Sequence, residues 1–286
     1  MTQVVRNYLG SISAILGAGI VLIAIACAVA APLLAHQNPY DLAQLDIVDS
    51  RLPPGSMGAA GYTYWLGTDD QGRDLLSAIL YGLRISLTVA LVSTLVALAI
   101  GTAAGLSAAY FGGTLDAALM RVVDLQLAFP GILIALVLLA VLGTGIDKVI
   151  LAVIAVQWAY YARTVRSAAL VERNKEYVLA AQTLRFSAPR IMGRHLLPNS
   201  AAALGVVVVV EMASAIALEA TLSFLGVGLP ITQPSLGLLI ANGYSFMLTN
   251  EYWLSVYPGL VLLLLLVGIN LIGERLRQLN DPRELA

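Results

Sequence analysis

Apolar residues fill long unbroken runs of this chain, and polar residues gather in the gaps between them. Six apolar stretches span about residues 12–35, 85–111, 125–146, 149–162, 200–229 and 252–273. Five of them reach the roughly 20 residues that a helix needs to cross a hydrocarbon core about 30 Å thick. The fourth has 14 residues between Lys148 and Arg163, so it needs shielding by neighbouring helices or snorkelling by those two cations. The pattern predicts an all-α integral membrane protein with six transmembrane helices. The first stretch ends near "AVAAP", like a signal peptide, but it is longer than the core of about 7–15 residues that a cleaved signal has. An uncleaved signal anchor is expected.

Charge sets the orientation. With the N-terminus inside, twelve Lys and Arg fall in inside segments: Arg6, Arg121, seven between Arg163 and Arg194, and Arg275, Arg277 and Arg283. Four fall outside: Arg51, Arg73, Arg84 and Lys148. Positive charge is retained on the cytoplasmic side, so both termini are expected in the cytoplasm of a multi-pass protein. The expected division is 1–35 for the N-terminus and first helix, 36–84 outside, 85–273 for a five-helix core that includes a cytoplasmic loop at 163–199, and 274–286 for a cytoplasmic tail.

Composition agrees. Only 12% of residues are charged and mean hydropathy is +0.85, against about 25% charged in a globular domain. A net charge of −1 gives no sign of a nucleic-acid partner. One cysteine, Cys27, allows no intrachain disulfide, and His36 and His195 without a second thiol make no metal-ligand cluster. No Ser-His-Asp set or Cys-His dyad can be assembled, so an enzyme is not expected.

Two segments outside the bilayer carry the remaining information. In 36–84, Pro53-Pro54-Gly55 marks a loop, and Thr68-Asp69-Asp70 reads as an N-cap before a short amphipathic helix. This segment is either an interfacial linker or a docking surface for an external partner. In the cytoplasmic loop, Tyr177, Ala180, Ala181 and Leu184 recur at i, i+3, i+4 and i+7, which places them on one helix face. Ser187 and Pro189 suit a second helix start. The small-residue face suits a groove on a soluble partner, and the flanking Arg190 and Arg194 equally suit a membrane surface.

Inside the apolar runs, Glu211 and Glu219 stand out. A carboxylate at bilayer depth is costly unless it faces the bundle interior, a wet cavity or a partner. Eight residues separate them, about 80° around a helix, so they share one broad face. Gln157 and Asn270 are candidate hydrogen-bond partners. Lining of a translocation pathway and gating are the functional alternatives. Gly101 and Gly105 form a G-x-x-x-G that permits close helix contact, more in keeping with packing inside the chain than with a subunit interface.

The stretch "EYVLAAQTLRFSAPRIMGRHLLPN", Glu176 to Asn199, resembles the cytoplasmic EAA loop of permease subunits of bacterial ABC importers. Ala180, Ala181, Leu197 and Pro198 keep that pattern, while Leu179 stands where the family has Glu and Arg185 where it has Gly. Arg adopts a left-handed turn less readily than Gly, so a differently shaped turn is expected. "LGTDDQGRDLLSAILYGLRISL" from Leu66, "LEATLSFLGVGLP" from Leu218 and the tail "ERLRQLNDPREL" are similar to segments of the C-type permeases of dipeptide, oligopeptide and nickel importers.

The resemblance implies the type I importer permease fold, with the loop as a coupling helix seated in a groove of an ATPase. Glu176, Tyr177, Ala180, Ala181, Leu184, Arg185, Arg194 and Pro198 would form that joint, and Glu211, Glu219 and Gln157 would line or gate the pathway. It also implies a homologous second permease, two ATPase subunits, an extracytoplasmic substrate-binding protein and a bacterial inner or plasma membrane. The chain has no G-x-x-x-x-G-K-[ST] phosphate loop, so no cofactor is expected on it, and ATP and Mg belong to partner subunits. An ion-coupled carrier using Glu211 and Glu219, and an importer of nickel or haem, are the alternatives.

Overall fold

The computed structural model describes residues 11–41, 45, 47–59 and 61–279. Arg6, Arg283 and the last residues of the tail lie outside the described residues. The chain forms α1 (Ile12–Leu34), a short antiparallel hairpin of β1 (Ser56–Met57) and β2 (Thr63–Tyr64), α2 (Leu75–Phe111), α3 (Gly113–Leu127), α4 (Gly131–Leu142) and α5 (Ile146–Arg173). There follow α6 (Glu176–Thr183), α7 (Ala188–Ile191), a wide π turn (Met192–Leu196), α8 (Leu197–Phe224), α9 (Leu236–Tyr244) and α10 (Trp253–Leu279).

Among the described residues four helical segments are long and apolar enough to cross a membrane: Ile12–Leu34, Leu75–Phe111, Ala188–Phe224 and Trp253–Leu279. The expected helix over 125–146 is instead two helices, α3 and α4, bent by 89°. Pro130 lacks the N–H needed to continue α3, and α4 starts immediately after it. This bent pair makes a fifth candidate crossing. The expected sixth rests on α5, whose 28 residues are long enough but include Asp147, Lys148, Arg163 and Arg166. Its apolar middle is shielded as anticipated, with Val149, Ala152, Val153, Val156, Ala159 and Ala162 all buried.

Two other expectations are corrected. Asp74, not Thr68-Asp69-Asp70, caps the helix that follows residues 61–74, its carboxylate accepting from the Ser77 N–H at 2.9 Å. That helix is not short, because α2 runs unbroken for 37 residues. The run expected at 200–229 begins earlier, through α7 and the π turn, and its helix ends at Phe224. Pro198 has no N–H for the carbonyl of Arg194 and its ring crowds that carbonyl. The π turn just before it, with the Leu197 N–H reaching Met192 O, accommodates the proline without ending the helix.

Among the described residues two main hydrophobic cores lie along the bundle, with a small third around Val123, Ala159 and Ala162. One gathers α1, α2, α4, α5, α8, α9 and α10 around Ile79, Leu83, Val153, Ile216 and Leu265. The other joins the far ends of α2 and α5 to α6 and α7, around Leu106, Tyr161, Val165, Ile191 and Leu196. The G-x-x-x-G acts inside the chain. A Cβ at Gly101 would stand 2.5 Å from Trp158 O, and one at Gly105 2.5 Å from Ala162 O, so these glycines let α5 lie directly on α2.

Candidate functional site

At one end of the bundle, α6 and α7 form a hairpin. Val178 and Ala181 point inward and are buried with Ile191 and Leu196 in the second core. Glu176, Tyr177, Leu179, Ala180, Thr183 and Leu184 are exposed. Sequence periodicity groups Ala181 with the outward face, and the structure corrects this: Ala181 is 3% exposed and Leu184 is 68% exposed. A helix resting on a larger core must commit one stripe to it, and in an eight-residue helix that stripe is narrow. Leu179, half exposed, joins the outward face instead. Its only sequence signal was that it stands where the resembling loop has Glu.

The hairpin turn has the geometry that glycine usually provides. Arg185 has φ +57°, its N–H donates to Gln182 O at 2.9 Å, and the Phe186 N–H donates to Ala181 O at 3.1 Å. These two bonds close a Schellman cap. The expectation of a differently shaped turn is therefore corrected: Arg185 takes the left-handed conformation, because both bonds satisfy carbonyls that the helix end would leave open. Beyond it, Phe186 stacks 6.3 Å from His195 and carries the Arg190 guanidinium 4.4 Å from its ring centre. Tyr177 is 6.2 Å from His195, and its hydroxyl donates to Glu172 at 2.6 Å. Lys175 donates to the same carboxylate at 2.7 Å, and together they hold Glu172 below its ordinary pKa. Arg194 and Pro198 are exposed at the end of the hairpin and the start of α8.

Glu219 and Glu211 lie deep in the bundle. Glu219 is fully buried on α8 and accepts from Ser86 of α2 at 2.7 Å and from Ser223 at 2.8 Å. Where α9 crosses α8, a Cβ at Gly237 would stand 2.2 Å from Ala220 O, so Glu219 sits at a three-helix junction with little room. Glu211, 9% exposed, is one wide step along α8. Gln157 of α5 donates to its backbone carbonyl, whereas Asn270 bonds Leu266 of its own helix. Sequence reasoning missed Tyr161, whose hydroxyl lies near Glu211, and Thr94 beside that hydroxyl; both hydroxyls are buried. A threonine and a tyrosine inside apolar runs are too common to single out without the packing.

At the opposite end, the described residues of 36–74 form a polar fabric in which most side-chain groups are paired. Arg73 is fully buried, with Nε on Asp69 at 2.5 Å and Nη1 on Ile231 O at 3.1 Å. Asp49 accepts from the Tyr64 hydroxyl at 2.9 Å and from the Ala59 N–H at 3.0 Å. Thr68 accepts from the Leu52 N–H at 2.7 Å and donates to Asp49 O. Asp70, beside this pair, is pushed above its ordinary pKa by burial and by the neighbouring Asp69. Among the described residues no group of three or more His, Cys, Asp or Glu could hold a metal ion.

A family model described as "Binding-protein-dependent transport system inner membrane component" matches residues 97–285. A dipeptide transport system permease protein, DppC, of Haemophilus influenzae is 36% identical over 270 residues, covering 94% of this chain and 90% of the relative. A probable D,D-dipeptide transport system permease protein, DdpC, of Escherichia coli is 34% identical over 274 residues, covering 96% and 89%. An oligopeptide transport system permease protein, OppC, of Bacillus subtilis is 32% identical over 270 residues, covering 94% and 85%. Among solved structures, an inward-facing form of the MetNI methionine ABC transporter matches with a TM-score of 0.57 at 17% identity, covering 71% of this chain and 97% of that one.

Proposed function

The chain belongs to the binding-protein-dependent transport system inner membrane component family, and from that premise we propose that it is the permease subunit of an importer of dipeptides or oligopeptides. It is a multi-pass membrane protein and not an enzyme; ATP hydrolysis belongs to a separate subunit. Systems of this family also include a second permease and a substrate-binding protein. The hairpin Glu176–Leu196 faces the cytoplasm and docks on an ATPase subunit through Glu176, Tyr177, Leu179, Ala180 and Leu184. Residues 36–74 face the binding protein. ATP and Mg are held by the ATPase partners, and this chain binds neither.

The observation that carries the reading is the outward face of α6. It presents two leucines, 50% and 68% exposed, on a helix whose other side is locked into the bundle by Val178 and Ala181. Exposed leucines around a small alanine suit a helix laid in a groove. Ala181 supports the joint from behind rather than touching the partner. Arg185 and Arg194 stand beside the face, where acidic groups of an ATPase can meet them. Nucleotide moves the permease only through a difference in affinity of the ATPase pair for two spacings of these hairpins, so a rigidly seated α6 transmits motion that a loose one would absorb. Glu211 and Gln157 line the pathway, and Glu219 holds α2, α8 and α9 together where that pathway opens and closes.

The test is uptake of a labelled dipeptide into vesicles holding the complete complex. ATP should drive it, and the chain alone should not accumulate peptide on a proton gradient. Accumulation by the chain alone would sink the importer reading and return Glu211 and Glu219 to the role of proton sites.

A further inference from the structure

Arg84 is the one charged residue of α2, and it is exposed at the outer edge of the apolar run that begins at Ile85. Among the described residues it makes no hydrogen bond or ion pair through its guanidinium. Its charge faces the hydroxyl of Tyr40, whose ring packs edge-on against Tyr81 at 5.1 Å. A tyrosine pair beside an arginine at the end of an apolar run is what the headgroup level of a bilayer selects. Arg84 also tops a groove of about 330 Å³ between α1 and α2. Leu87, Thr88 and Leu91 continue below it for two turns, or about 10 Å. Ile25 and Val29 of α1 face them, with Met212 at the base. Apart from Arg84 and Thr88, the lining is apolar.

We propose that this groove is a binding site for an anionic phospholipid, with the phosphodiester on Arg84 and one acyl chain in the cleft between α1 and α2. Two features support a whole lipid over a bare anion or an empty cleft. Among the described residues the cation has no counter-ion, and guanidinium pairs with phosphate through two parallel bonds. The cleft descends from that cation toward the middle of the membrane, the direction an acyl chain takes from its headgroup. In the proposed orientation the lipid comes from the outer leaflet. Ile25 and Val29 are 43% and 74% exposed, so the cleft is open along its side and the lipid enters laterally. The bound chain would fill the space between α1 and the rest of the bundle and fix the packing of the first helix.

The test is native mass spectrometry of the purified complex after incubation with phosphatidylglycerol, phosphatidylcholine or inorganic phosphate. Phosphatidylglycerol should remain bound to the intact complex, and Arg84→Gln should reduce its retention about fivefold, the weight of one basic residue at a lipid surface. Arg84→Lys should restore most of it. Val29→Trp, which fills the cleft and leaves Arg84 in place, should also release the lipid. Equal retention by intact and Arg84→Gln complexes would overturn the proposal, as would full displacement by millimolar inorganic phosphate. A photo-crosslinker at position 25 that captures the second permease instead of lipid would likewise overturn it. None of these readouts depends on transport.

Discussion

The two ends of the bundle solve the problem of an exposed loop in opposite ways. The described residues of 36–74 turn most of their polar groups on one another: Arg73 is buried against Asp69 and Ile231 O, and Asp49, Tyr64, Thr68 and Leu52 share a second set of bonds. The hairpin from Glu176 to Leu196 satisfies its backbone at the Arg185 turn and leaves Leu179 and Leu184 in the open. The polar groups of the first segment are tied to stability, although Ile47, Val48, Met57 and Trp65 on its surface are as open as the hairpin's leucines. The second is seated but uncovered, so its outward residues are free of the fold and available to a partner.

The sharpest way to break this contrast is Asp69→Ala. It leaves a buried, unpaired guanidinium and should cost about 3–5 kcal/mol, read as a large drop in the melting temperature of the purified complex. A comparable loss should follow Ala181→Glu, which forces a carboxylate among Val178, Ile191 and Leu196. Ala180→Glu, one residue away and exposed, should leave the melting temperature within the roughly 0.5 kcal/mol usual for surface changes. If the two alanines behave alike, the inward and outward faces of α6 are wrongly assigned.

Smaller changes sharpen the picture. Arg185→Gly should stabilise the hairpin by about 1 kcal/mol, because the left-handed conformation costs a side-chain-bearing residue that much, measurable as slower amide exchange at Phe186. Asp70→Asn should act through pH. Burial raises the Asp70 carboxyl, so the folded state holds its proton more tightly than the unfolded one. The native chain is then penalised once pH passes the unfolded pKa, and the penalty persists above the folded one. The substitution should therefore stabilise at neutral pH and lose its advantage as pH falls through the carboxylate range. A gain that grows on acidification would contradict this sign.

Much of the membrane architecture was legible from apolar runs alone, because length and hydropathy set what can cross a bilayer. What periodicity could not supply came from local chemistry and from packing. Pro130 breaks the third run into two helices at 89°, although nothing in the hydropathy of 125–146 marks a bend. Thr68-Asp69-Asp70 looks like a cap, yet Asp69 pairs with Arg73, Thr68 bonds the Leu52 N–H and Asp49 O, and Asp74 caps α2 instead. Glu211 and Glu219 share an interior face as their eight-residue spacing implies, but only the fold shows that Glu219 meets two serines and that Asn270 meets neither glutamate. Ala181 was placed outward because a four-residue i, i+3, i+4, i+7 set does not say which half of a short helix the bundle will cover.

Whether the outward face of α6 seats the ATPase is decided by ATPase capture with the chain carrying Ala180→Glu and Leu184→Glu, with the melting temperature recorded on the same preparation. Both positions are exposed, so the fold should survive with its melting temperature near that of the intact chain, while ATPase co-purification and ATP-driven uptake should both be lost. A folded double variant that captures the ATPase and transports as well as the intact chain would show that the outward face of α6 is not the joint.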